Sequence, residues 1–276
     1  MSAVMVVRPL RQVEPHAGAA TLYDDWLDQI AEVLAGGGDR WELCRKVLSG
    51  IFYPGLAGAD RERLPRPTRV ALAQMDARNV TLEPEYYSEI DADEFQRRKP
   101  LIWMWQMFDK SPLGGNVHLG VRFRRVIAPY IFKRVGDNFK CFHFVEFSFG
   151  YNLEVGDDVV VHRNVLLDDR GGIVLGDRVS ISDYANVYSH THSIVNQEDV
   201  TDARTVIGAG ARVTYHATVL AGTQVGENSM VGAMAVATRD VRPWHVNVGI
   251  PAKSVRVKPN APAEAYETTA VKKKEE

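Results

Sequence analysis

The chain has 276 residues, enough for one large domain or two modest ones. Its 45% hydrophobic and 25% charged content is ordinary for a globular protein, and a formal net charge of -2 offers no bulk attraction to nucleic acid. Two cysteines, Cys44 and Cys141, are too few for a disulfide framework and lack zinc-site spacing, so a reducing, cytoplasmic setting is expected.

Three textures follow one another along the chain. The opening MSAVMVVRPLRQ carries its basic residues after a short apolar run, unlike a secretory signal, and no window reaches the length of a membrane span. Residues 1–134 read as a mixed, largely helical region. Leu22, Trp26, Ile30 and Val33 fall at helical spacing, and the glycines at 36–38 stop that helix. Asp39 then suits the N-cap of a second helix, with Trp41, Leu43, Cys44 and Leu48 on one face. Pro65 and Pro67 break the chain again. The apolar patch LIWMWQMF at 101–108 precedes a basic segment with Arg122, Arg124, Arg125, Lys133 and Arg134. That segment reads as a solvated face or, more sharply, as a contact for lipid or a polyanionic acceptor. Residues 259–276 hold almost no core formers and are expected to be a disordered tail.

Residues 135–258 repeat in sixes. Ile207, Val213, Val219, Val225, Val231 and Ala237 lead successive hexapeptides, and Ala211, Ala217, Thr223, Ser229, Ala235 and Val241 fill the fifth positions. Upstream, Val155, Val161 and Leu167 lead, two extra residues intervene near 170–172, and Leu175, Ile181 and Val187 lead again with Thr191 at a fifth position. Val135, Cys141 and Phe147 continue the pattern more weakly. A period of six fits neither a helix nor a simple alternating strand. It fits a prism in which each hexapeptide is a short strand and a corner, three make one coil, and leading aliphatics stack inward at the spacing of paired strands. Glycines at second positions (156, 176, 208, 226 and 232) are expected to serve an unusual corner backbone. The fold expected is therefore mainly β: a parallel β-helix of about five coils, capped at one end by the helical N-terminal region and at the other by residues 243–256. Between Val187 and Ile207 the register breaks, which predicts a protruding loop over about 193–206 with two histidines at its root.

With these residues in place, the chain resembles the hexapeptide-repeat acyltransferases, closest to the maltose- and galactoside-type sugar O-acetyltransferases and the xenobiotic acetyltransferases. The resemblance rests on LGDRVSISDYANVYSHTHS at 175–193, on the uninterrupted coils of 207–256 and on GIPAK at 249–253. It implies a left-handed helix, homotrimers with active sites between subunits, and direct transfer from acetyl-CoA or another acyl-CoA with no metal required. It further implies His192 as general base, acceptor contacts at His162, Asn164 and His190, and coenzyme contacts at Tyr215 (backbone), Ala233, Thr238, Arg239, Lys253 and Arg256. Two positions depart from the pattern. His162-Arg163-Asn164 stands for the family's Asn-x-Asn, and Arg212 for a Trp, so the acceptor, a sugar, a glycan or a small metabolite, stays open.

Acyl transfer needs a base of near-neutral pKa, which histidine supplies. A backbone N–H near Tyr215 suits the developing oxyanion, and Arg239, Lys253 and Arg256 suit phosphates. Cys141 falls on an inward slot and Cys44 in a helical patch, neither suited to nucleophilic catalysis. His216 and His245 read as structural. Two other functions compete: a γ-type carbonic anhydrase-like zinc enzyme using His162, His190 and His192, and a non-catalytic β-helix acting as a binding or assembly subunit. The tight 190–192 spacing and GIPAK argue against the first.

Overall fold

The structure, a computed structural model, describes residues 13–56 and 58–266. The expectations placed on residues 1–12 and 267–276 lie outside these. Among the described residues five α-helices precede the β-region: α1 (Ala17–Ala35), α2 (Arg40–Phe52), α3 (Arg66–Ala73), α4 (Ala92–Asp109) and α5 (Val117–Ile127). Asp39 caps α2 by accepting from the N–H groups of Trp41 (2.8 Å) and Glu42 (3.2 Å), and Gly36 ends α1. The buried face of α1 differs from the expected one. Leu27, Ile30 and Leu34 are buried, while Leu22 and Val33 face outward. Pro65 and Pro67 begin α3 rather than only breaking the chain.

From Arg134 the chain winds into a parallel β-helix with three walls and five complete turns plus a partial sixth. The first wall stacks Val135, Val155, Leu175, Ile207 and Val225 in register. The second stacks Cys141, Val161, Ile181, Val213 and Val231, and the third Phe147, Leu167, Val187, Val219 and Ala237. Every one of these side chains but Val135 is buried, as the six-residue rhythm requires. The fifth positions other than Thr191 are buried or half-buried too, with a taper. Along one corner Phe139 gives way to Val159, Val179, Ala211 and Ser229. The wide end faces the helices, where Phe132 and Phe147 meet at 4.9 Å and Trp105 packs on both. The helical region and the first coil thus share one continuous core.

The second-position glycines serve a different purpose from the one expected. None has a positive φ. The left-handed residues sit two places later, at Asn138, Asp158, Arg178, Gly210, Asn228 and Trp244 on the first corner and at Phe144, Asn164, Tyr184, His216 and Met234 on the second. What the second position demands is close approach between coils. A Cβ on Gly208 would lie 2.7 Å from the Glu227 nitrogen and 2.9 Å from the Val225 oxygen. Gly208→Ala is therefore expected to cost about 1–3 kcal/mol. Gly50→Ala, inside α2 with nothing within 4 Å of the added methyl, should instead gain about 0.5–1 kcal/mol. Urea midpoints of the two variants check both signs.

The basic segment is solvated only in part: Lys133 and Arg134 are exposed, while the other three arginines are engaged by the fold. Arg122 pairs with Asp24 (2.5 Å), Arg125 Nε donates to the Phe139 carbonyl (2.9 Å) and Lys133 pairs with Glu154 (3.0 Å). Arg124 is buried against Asp109 and also donates to the carbonyls of Cys141 (3.2 Å) and Gly114 (2.9 Å). The second oxygen of Asp109 accepts the Phe144 N–H at 2.7 Å. This ion pair ties α4, α5 and the first coil together. The apolar patch at 101–108 is α4, with Leu101, Ile102, Met104, Trp105 and Phe108 in the core. Among the described residues no helix is long and apolar enough to cross a membrane. At the far end, strand His245–Val248 extends the second wall and Lys253–Val257 folds back antiparallel on it. Part of the expected tail is ordered: Tyr266 Oη donates to the Lys258 carbonyl at 2.9 Å.

Candidate active site

All irregularities of the winding fall on the corner between the third and first walls. The first and second turns carry two residues more there than a plain hexapeptide, over 148–152 and 168–172. The third turn carries a hairpin in which His190–His192 pairs antiparallel with Val200–Asp202. So Thr191 leaves its fifth-position slot and points into solvent. The root of the hairpin is fixed by buried hydroxyls. Ser189 Oγ donates to the Asp168 carbonyl (2.6 Å) and accepts the Gly171 N–H (2.9 Å), and Thr205 Oγ1 donates to the Tyr188 carbonyl (2.6 Å).

The two histidines of the hairpin are held differently. His192 is exposed, and its Nδ1 lies 2.7 Å from the Gln197 carbonyl across the turn. A carbonyl oxygen only accepts, so Nδ1 carries the hydrogen and the neutral ring keeps its free lone pair on Nε2. The ring of His190 stands 5.2 Å away at 84°, mostly buried, with Nδ1 against Asp168 Oδ2. Asp168 Oδ1 accepts from Ser148 Oγ at 2.8 Å, which orients the carboxylate.

His190 forms one end of a cavity of about 460 Å³ on the outer face of the third wall. The opposite side comes from the helical region: residues 81–87 and the C-terminal turn of α4. Residues 81–91 are docked there by Arg170, which pairs with Glu89 and lies 4.1 Å over the Tyr87 ring, and by the Asp91 N–H donating to Tyr151 Oη at 2.9 Å. Sequence reasoning did not single out Asp168, Arg170, Tyr87 or Glu89. The available signal was DDR at 168–170, a charged run placed where the inward rhythm slips by two.

The remaining expected residues divide between edges. His162 stacks on Phe142 at 5.0 Å, and Asn164 occupies the left-handed corner position before the third wall. Tyr215 and Ala233 follow on that same edge, where the Met234 N–H donates to the Tyr215 carbonyl at 2.9 Å. Thr238 and Arg239 lie beyond the other end of the third wall, after strand Val236–Ala237. Lys253 and Arg256 are on the strand that edges the second wall. One chain therefore does not gather His162 and Asn164 with His190 and His192. Of the histidines expected to be structural, His216 stacks on Tyr184 at 4.9 Å, and His245 is buried with Nδ1 2.6 Å from Ser254 Oγ. Both thiols are buried, and burial pushes Cys44 up to about 12 and Cys141 higher still, so neither is a thiolate near neutrality.

No family model matches the chain. The galactoside O-acetyltransferase of Escherichia coli (strain K12) is 26% identical over 140 residues, covering 49% of this chain and 69% of that enzyme. A solved hexapeptide-repeat acetyltransferase from Vibrio cholerae O1 biovar eltor, complexed with acetyl coenzyme A, superposes with a TM-score of 0.54 at 20% identity, covering 67% of this chain and all of that one. A putative acetyltransferase of Staphylococcus aureus (strain COL) is 30% identical over 154 residues, 54% of this chain and 77% of the relative. The chain belongs to the hexapeptide-repeat acetyltransferases. Its helical region walls the cavity beside His190.

The corner that carries this acetyltransferase's histidines also buries a carboxyl group. Asp169 is buried, and desolvation pushes it up to about 7 despite the N–H groups of Phe149 (2.8 Å) and Asn152 (3.2 Å) that it accepts. An unfolded Asp titrates near about 3.9. Between these values the folded chain holds a proton the unfolded one has released, so this group's contribution to stability falls as pH rises from about 4 to about 7. The stability difference between wild type and Asp169→Asn should therefore shrink or move against wild type across that window. Urea unfolding at pH 5 and pH 8 measures it, and a difference that grows with pH would contradict the assignment.

Proposed function

We propose that this acetyltransferase moves an acetyl group from acetyl-CoA to a hydroxyl of a sugar, glycan or small metabolite, by direct transfer in a ternary complex with His192 as general base. The observation that carries the reading is the His192–Gln197 contact, which fixes the tautomer and leaves Nε2 as the proton acceptor. Nε2 takes the acceptor proton as the hydroxyl oxygen bonds to the thioester carbonyl carbon. The C–S bond then breaks and the imidazolium returns the proton to the departing thiolate. The Tyr215 N–H is the proposed donor to the intermediate oxyanion. Ala233, Thr238, Arg239, Lys253 and Arg256 are the proposed coenzyme contacts, all on exposed positions of the last turns.

Support for acetyl-CoA comes from the Vibrio cholerae structure, which holds it, and support for a sugar acceptor from the name of the Escherichia coli relative. The division of expected residues between two edges of the prism favours a site completed by a second subunit, so a homotrimer is part of the proposal. Two buried free thiols suit a reducing, cytoplasmic setting. An acceptor panel with acetyl-CoA, read as free thiol, tests the reaction. Release that no acceptor accelerates, with a monomer on sizing chromatography, would sink it.

A further inference from the structure

Two further cavities, of about 460 Å³ and 540 Å³, flank α2 on either side of Lys46 and Gly50, which line both. Residues four apart stand one above the other on a helix, so these two form a single ridge between the cavities. Trp26, Val47, Ile51 and Leu113 make the first cavity largely apolar. Arg45, Ser49 and Arg61 line the second. The ridge is notched at Gly50, where an added Cβ would meet nothing within 4 Å. Glycine weakens a helix interior relative to alanine, and here no neighbouring atom demands it. The notch joins a cationic hollow to an apolar one.

We propose that the outer face of α2 binds a medium-chain fatty acid, its carboxylate in the cationic cavity and its chain passing over Gly50 into the apolar one. Charge complementarity places the head. Among the described residues no acidic side chain lines either cavity. Glu42, close by, is taken up by Arg45 at 2.9 and 2.5 Å and lies 3.8 Å from Lys46, so one carboxylate serves two cations. Arg61 has no carboxylate partner, since Asp60 pairs with Arg63 and Glu62 with Arg69. Ser49 has a buried Oγ without a hydrogen-bond partner, a donor that a carboxylate oxygen satisfies. A single carboxylate answers this surplus, whereas a polyanion needs more free cations than Arg61 and Lys46. The chain end is placed by Trp26, whose ring stacks on Phe108 and Phe123 and so continues the core outward. The long Lys46 stem covers the chain while its ammonium stays with the head.

Calorimetric titration of the full-length protein with octanoate, 1-octanol and acetate tests the assignment. Octanoate offers both head and chain, and is expected to bind wild type about tenfold or more tightly than either rival. Gly50→Leu closes the notch with a better helix former, and should weaken octanoate binding by about tenfold or more. Circular dichroism and melting temperature are its folding controls. Arg61→Gln alters only an exposed side chain. It should weaken octanoate binding by about threefold or more, the scale of a lost surface ion pair, and leave 1-octanol as in wild type. Saturating octanoate should raise the melting temperature of wild type but not of Gly50→Leu. The proposal is overturned if octanoate does not bind wild type at millimolar concentration or if 1-octanol or acetate binds as tightly. It is equally overturned if Gly50→Leu or Arg61→Gln binds octanoate as wild type does. Should Gly50→Leu fail its folding controls, Arg61→Gln and the three-probe comparison decide. No readout involves acetyl transfer, so the outcome is independent of the reaction proposed above.

Discussion

Replacing His192 with alanine is expected to lower kcat for acetyl transfer by about 10²–10⁴-fold, the usual worth of a positioned general base. Little change is expected in the KM for acetyl-CoA, because His192 lies on the hairpin of the third turn and the proposed coenzyme contacts on the later ones. The hairpin root is held by Ser189 and Thr205 rather than by the imidazole, so the variant should fold normally. Its circular dichroism and melting temperature are the controls. Free-thiol assays on wild type and variant with one accepted acceptor decide the matter. Rates within a few-fold of each other would remove His192 from the mechanism and leave the His190–Asp168 pair as the only histidine arrangement facing the cavity among the described residues.

The second large effect concerns folding. Arg124→Ala is expected to destabilise the protein by about 3–5 kcal/mol, because it strands a buried Asp109 carboxylate. The guanidinium is 1% exposed and serves Asp109 together with the carbonyls of Cys141 and Gly114. Asp109 still accepts the Phe144 N–H in the variant, but that single bond does not replace a counter-ion. Removing both partners in Arg124→Ala/Asp109→Ala should cost less than the two single changes added together, since the stranded charge is gone. Denaturant unfolding of the four proteins measures this coupling. Strict additivity would mean the pair does not hold the helices to the prism.

The winding was legible because its pattern is local and strict. Each inward slot is filled by a side chain that only a six-residue period places, and all the leading residues from Val155 to Ala237 are buried. The role of the glycines was not legible, because it depends on the distance between coils rather than on the local backbone. Gly208 meets Glu227 from the next turn, and nothing near Gly208 in sequence signals it. The face of α1 was misread for a similar reason. Leu22-Trp26-Ile30-Val33 and Leu27-Ile30-Leu34 both have helical spacing, and only the partner surface selects between them. The histidine pair could be picked out because the register fails around it. The cavity could not. Arg170 and Glu89 are 81 residues apart, and no short-range pattern announces such a meeting. Within the basic segment only Arg124 is enclosed, and charge alone does not distinguish an exposed arginine from one buried with a carboxylate.

One edge of the column takes up every change in chain length. Two turns loosen there slightly, one throws out a whole hairpin, and the fourth passes straight through from Val219 to Val225. The stacked aliphatics on either side keep step regardless. Material can therefore be spliced, swapped or trimmed along this seam with the inward stack of aliphatics untouched.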